Sequence, residues 1–135
     1  MPPPEEQIRR ELVSQWVHKA GQDLRAAETL LAEEPPLLYP SCFHSQQAAE
    51  KYLKAFLVHN QVDFPKTHDI QELLDLAEPI NSALADSLQS VIVLTEYAVE
   101  VRYPGVSAEK TDASEALRTA KRLRAFARAS FGLHP

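Results

Sequence analysis

The chain has 135 residues, of which 44% are apolar and 24% charged, with a formal net charge of -5 and three glycines against ten prolines. That length suits one domain with a real core and is short for two, and the net acidity excludes a general nucleic-acid coat while leaving room for a local basic patch. A single cysteine, Cys42, excludes an internal disulfide, and no signal peptide or membrane-spanning run is visible, so the default location is the cytoplasm.

Residues 1–7 read as a flexible proline-rich lead, with Glu5 and Glu6 placed to favour the positive end of a following helix. From about Ile8 to Glu33, apolar residues recur at three- and four-residue steps through Leu12, Trp16, Ala20, Leu24, Ala27 and Leu31, which predicts a long amphipathic helix. Asp23 interrupts its apolar seam. A carboxylate there needs a cation or several donors, because an isolated buried charge is strongly disfavoured.

Two glutamates and two prolines, Glu33 to Pro36, close that helix, and Ser41 is placed to cap a second one running to about His59. Cys42, Ala49, Leu53, Phe56 and Leu57 fall on one side of it, and His44, Gln47, Lys51 and Lys54 on another. Cys42 reads as a small core residue. The Gln46–Glu50 and Glu50–Lys54 spacings read first as helix support.

A loop follows over residues 60–66, and Thr67 is placed to cap a short helix from His68 to Ala77; His68 itself reads as a surface or packing residue. The stripe Leu84, Leu88, Val91, Thr95 and Ala98 predicts a fourth helix over about Ile80 to Val101, which points Arg102 toward the core or its rim. Pro104 and Gly105 end it. A last helix, capped by Ser107 or Thr111, reaches about Ser130 and carries Arg118, Lys121, Arg122 and Arg128 on a broad face with Arg124 off it. That basic face reads as solvated surface first, with RNA backbone or an acidic partner as the functional alternative. No strand pattern or internal repeat stands out. The expected fold is all-α, an antiparallel up-and-down bundle of four to five helices forming one domain over residues 8–131, with a tail at 132–135.

Asp23, Lys51 and Arg102 come from three helices and each lies on or beside an inward face. Two readings stay open: a structural ion network that sets the register of the bundle, or a phosphate or nucleotide site in which Lys51, Lys54 and Arg102 supply donors and Tyr103 stacks on a base. His44 and Gln47 form the surface where a ligand or partner would show itself. No further histidine or acid is spaced to complete a metal site with His44, so neither a metal nor another cofactor is expected.

The run Phe43 to Ile70, with its phenylalanine–histidine, paired glutamines, glutamate–lysine and threonine–histidine–aspartate turn, strongly resembles the HEPN family. Trp16, Ala20, Asp23, Leu24 and Ala27, and the run from Arg102 to Gly105, extend the resemblance over nearly the whole chain. It implies a helical bundle, commonly a homodimer, frequently encoded beside a minimal nucleotidyltransferase as a toxin–antitoxin-like pair. Many such proteins are metal-independent ribonucleases whose motif is an arginine followed four to six residues later by a histidine. Here that motif would begin at Arg102, yet positions 106 to 109 are Val106, Ser107, Ala108 and Glu109, and no histidine follows until His134.

Cleavage through the 2'-hydroxyl needs an acid or base as well as a cation. The resemblance therefore points to a non-catalytic component that binds a nucleotide or a nucleotidyltransferase partner. The alternatives are an endoribonuclease toxin of degenerate motif, with His44 or His68 replacing the missing histidine, and a structural or interaction homodimer without a ligand. RNA and nucleotide are the open ligand classes, and no membrane is expected.

Overall fold

The computed structural model describes residues 4–82 and 108–132. The expected fourth helix beyond position 82, the motif residues Arg102 and Tyr103, and residues 133–135 of the expected tail lie outside the described residues. Within them the regular elements are all helices: α1 (Pro4–Ala32), α2 (Leu38–His59), α3 (Ile70–Ala77) and α4 (Lys110–Ser130). No helix among the described residues is long and apolar enough to cross a membrane.

Several ends differ from the sequence expectation, each for a local reason. α1 starts at Pro4, so part of the expected flexible lead is helical. Proline is preorganised for a first helical position, and Glu5 and Glu6 face the positive end of the helix dipole. α2 begins three residues before Ser41, and its N-cap Leu37 has no side-chain bond. Ser41 is buried inside the helix instead, where its hydroxyl donates to the Ala27 carbonyl at 2.8 Å and staples α2 to α1.

α3 is capped by Asp69, whose carboxylate accepts from the Gln71 N–H at 3.0 Å. Thr67 stands one step earlier, accepting from the Asp69 N–H. At the start of α4 the N-cap is Glu109, with its own N–H donated to the Asp112 carboxylate at 3.0 Å, in place of the expected Ser107 or Thr111. Both corrections follow from acidic side chains outcompeting nearby hydroxyls for the exposed first-turn N–H groups.

α1 and α2 are antiparallel, since their partners pair in opposite order: Ala27 with Ser41, Asp23 with Lys51, Trp16 with Lys54. α4 runs alongside α2 in the same direction, with Phe126 on Phe56 and Phe131 on His59 at ring separations of 5.4 and 5.0 Å. Alanines line the contacts: Ala20 and Ala27 of α1, Ala48, Ala49 and Ala55 of α2, and Ala116 and Ala120 of α4 are all buried. Their small side chains let the backbones approach, and Leu53, Leu57, Ile70, Leu73 and Leu123 fill the space between at close to full burial. Cys42 belongs to this core, as its place on the apolar face implied.

Candidate functional site

The polar row of α2 forms two clusters of the same composition, each a carboxylate with one lysine and one histidine. The first bridges α1 and α2. Asp23 turns one carboxylate oxygen to the Lys51 ammonium, which donates to it, and the other to His44 Nδ1 at 2.9 Å. Its side chains keep partial access to solvent, 14% for Asp23, 19% for Lys51 and 33% for His44. The His44 ring also meets Phe43 edge-on.

The second cluster surrounds Glu50, whose side chain is only 1% exposed. Lys54, also buried, donates to it at 3.3 Å, and His68 Nδ1 approaches both carboxylate oxygens at 3.1 Å. The ammonium of Lys54 lies 5.2 Å from the centre of the Trp16 ring, a cation–π contact that supplies part of the solvation lost on burial. His68 is 83% exposed, so the pair runs from the protein interior to its surface.

The expected Asp23–Lys51 contact is therefore present, while Arg102, the third member of the expected network, lies outside the described residues, as does Tyr103. His44 has a carboxylate partner that its own helix does not supply, and Lys54 meets Glu50, the acid its spacing pairs it with. Gln47 donates to Gln46 at 3.1 Å and is held beside its own neighbour. His68 is a surface residue as expected, but one tied to a buried acid. Among the described residues no group of three or more histidine, cysteine, aspartate or glutamate side chains could hold a metal ion.

Glu50 was the residue least visible in the sequence. The signal was the row Gln46, Glu50, Lys54, one residue per turn, whose acid-first order also suits an exposed helix pair. Buried hydroxyls lie nearby on α2: Ser45 is fully buried and its hydroxyl has no hydrogen-bond partner among the described residues. Tyr52 is buried between the helices, and that burial pushes its phenol above the usual tyrosine value while the Arg124 guanidinium, bonded to it, opposes the rise. At the far end of α2, burial and the charge of Arg9 hold His59 below the usual histidine value.

Two open clefts lie beside α1 near its start. One of about 420 Å³ is lined by residues including Ile8, Leu12, Val58 and Phe64, and one of about 390 Å³ by residues including Arg10, His59 and Phe131. Arg9 lines both, and neither contains a residue singled out from the sequence as a ligand contact.

A helical bundle whose second helix carries this polar row defines the class, and the family follows from it. A family model for the HEPN domain matches residues 13–130, and the chain belongs to the HEPN family. A crystal structure of an archaeal HEPN homologue is similar to it, with 27% identity and a TM-score of 0.70, over 87% of this chain and 96% of that one. No curated protein matches.

Proposed function

We propose that this HEPN protein works by binding: it is the non-catalytic partner of a minimal nucleotidyltransferase in a toxin–antitoxin-like pair, with nucleotide as the secondary ligand. The observation that carries this reading is the neutralisation of the α2 lysines. Lys51 is held by Asp23 and Lys54 by Glu50, so neither ammonium is left free to draw in a phosphate, and that favours a protein partner over a nucleotide at this row. The residues after Arg102 support the non-catalytic side of the reading, because they supply no histidine at the family spacing.

Co-expression with the product of a neighbouring nucleotidyltransferase gene, followed by pull-down and calorimetry against a nucleotide panel, tests it. Complex formation with little nucleotide affinity is expected, and Lys51→Met is expected to leave the complex intact. Loss of both complex and nucleotide binding in the wild type overturns it.

One observation favours the ribonuclease reading. His44 and His68 each direct Nδ1 to a carboxylate, which fixes the tautomer and leaves Nε2 to exchange a proton. RNA cleavage by the wild type, abolished by Arg102→Ala and by one of His44→Ala or His68→Ala, would establish that alternative.

A further inference from the structure

Arg9 is half-buried, yet no carboxylate among the described residues pairs with it. A fully solvated arginine needs no partner, because water surrounds its head while the stem covers apolar surface. Arg9 instead lines the cleft of about 390 Å³ where the start of α1 meets the ends of α2 and α4. Its charge reaches His59 across that cleft and, after burial, is the second cause of the lowered imidazole value. A guanidinium that is partly desolvated and lacks a counterion is set to take one from outside the chain.

The other charged groups of the cleft leave that role to Arg9. Arg10 also lines it, but its guanidinium is engaged by Glu6 at 2.8 Å, so the two charges cancel. His59 is neutral at pH 7, since its value is lowered from one already below that pH. α4 brings no cation to the lining: Arg124 and Arg128 are half-buried and act on the Tyr52 hydroxyl, which takes Arg128 off the outer basic face that the sequence implied. The rest of the lining is apolar, Val13 and Phe131, with the Phe131 ring 5.0 Å from the His59 ring and tilted 60° to it. One net positive charge thus faces a cleft with an aromatic corner.

We propose that this cleft binds a small monocarboxylate with an apolar or aromatic body, its carboxylate on Arg9 and its body on Val13 and Phe131. The planar fork of arginine matches the two oxygens of a carboxylate. Charge count selects a monoanion: a phosphate dianion would bring a second negative charge toward Glu6, with no second unpaired cation in the lining to meet it. Size selects an organic acid, because a cleft of about 390 Å³ has the volume of small-molecule sites, and a bare inorganic ion would leave most of it to water. The apolar corner then has a body to cover it. His59 lies about 22 Å along α2 from His44, so this site stands or falls independently of the partner proposed for the polar row.

The test is titration of the isotope-labelled full chain with phenylacetate, followed by NMR, beside its uncharged isostere phenylacetamide, inorganic phosphate and AMP. Saturable shifts at the start of α1 and at Phe131 are expected, with a Kd of about 1 mM or tighter for phenylacetate. Arg9→Gln is expected to weaken binding about tenfold or more. Glu6→Gln, which releases Arg10 from a pair of little structural worth, is expected to tighten it about threefold. Phe131→Leu is expected to weaken it about threefold, and serves if Arg9→Gln impairs folding by circular dichroism. Lys19→Gln on α1 is the control that should bind as wild type. The bound carboxylate should also raise the His59 value, so affinity rises from about pH 8 to about pH 6 and the imidazole resonance titrates at higher pH in the complex. Absence of saturable shifts up to about 20 mM phenylacetate at about pH 6 overturns the proposal, as does equal binding of phenylacetamide. Affinity unchanged in Arg9→Gln, or a His59 titration unmoved by saturating phenylacetate, overturns it too. Tighter binding of inorganic phosphate or AMP also overturns it and transfers the cleft to a phosphate ligand.

Discussion

The two clusters on α2 contain the same three residue types and differ in where the carboxylate is placed. Asp23 approaches from a neighbouring helix and keeps some contact with solvent, so water competes for Lys51 and His44 and the cluster acts as a weak clamp between α1 and α2. Glu50 belongs to α2 itself and is enclosed, with Lys54 buried beside it and Trp16 over the ammonium. Composition therefore does not set what such a cluster contributes. Removing one partner from an enclosed pair strands a charge in a medium that cannot hydrate it, whereas removing one from a half-exposed pair returns its partners to water.

The largest expected effect is at the enclosed pair. Glu50→Gln leaves the Lys54 ammonium without its counterion and is expected to cost about 3 kcal/mol in urea unfolding, softened by the Trp16 ring that remains. A loss under about 1 kcal/mol would erase the distinction between the clusters. Asp23→Asn is expected to cost less, about 1 kcal/mol by the same measurement, because Lys51 and His44 keep access to solvent. If that substitution proved the more damaging of the two, the clamp between helices would outweigh burial.

A group belonging to neither cluster supplies a pH-dependent reference of smaller effect. The phenol of Tyr52 is raised by burial, so its contribution to stability is fully present below the ordinary tyrosine value near 10 and is lost as pH rises through the folded value. Wild-type stability is expected to fall on this alkaline limb, and Tyr52→Phe is expected to fall less steeply there, as followed by thermal melts from pH 9 to 11. His59 has the opposite sense. Its value is lowered, so its contribution is present above the ordinary histidine value and is lost on acidification.

Local pattern made much of this legible before any geometry. The three- and four-residue periodicity located the helices that the structure describes, and an acid in the apolar seam of α1 announced that Asp23 must meet a cation. Lys51 is a candidate for that role in the sequence because it lies on or beside an inward face. His44 was harder: its carboxylate arrives from another helix, and sequence spacing carries no register between helices. Glu50 shows a related limit: its spacing to Lys54 marks a pair that the structure contains, but an acid four residues before a lysine looks the same whether that face meets water or a neighbouring element. The helix ends were the least legible, because Ser41, Thr67 and Thr111 all have the chemistry of caps, and only the path of the backbone decides which side chain reaches a free N–H.

Trp16 is the only tryptophan in the chain, and it stands 5.2 Å from the Lys54 ammonium with the Phe64 ring 6.5 Å away. The molecule therefore carries its own optical probe at the point where the enclosed Glu50–Lys54 pair meets the loop leading to α3. Indole emission should respond first to whatever disturbs that junction, whether a substitution at Glu50, a lifted loop or a partner pressing on the start of α1.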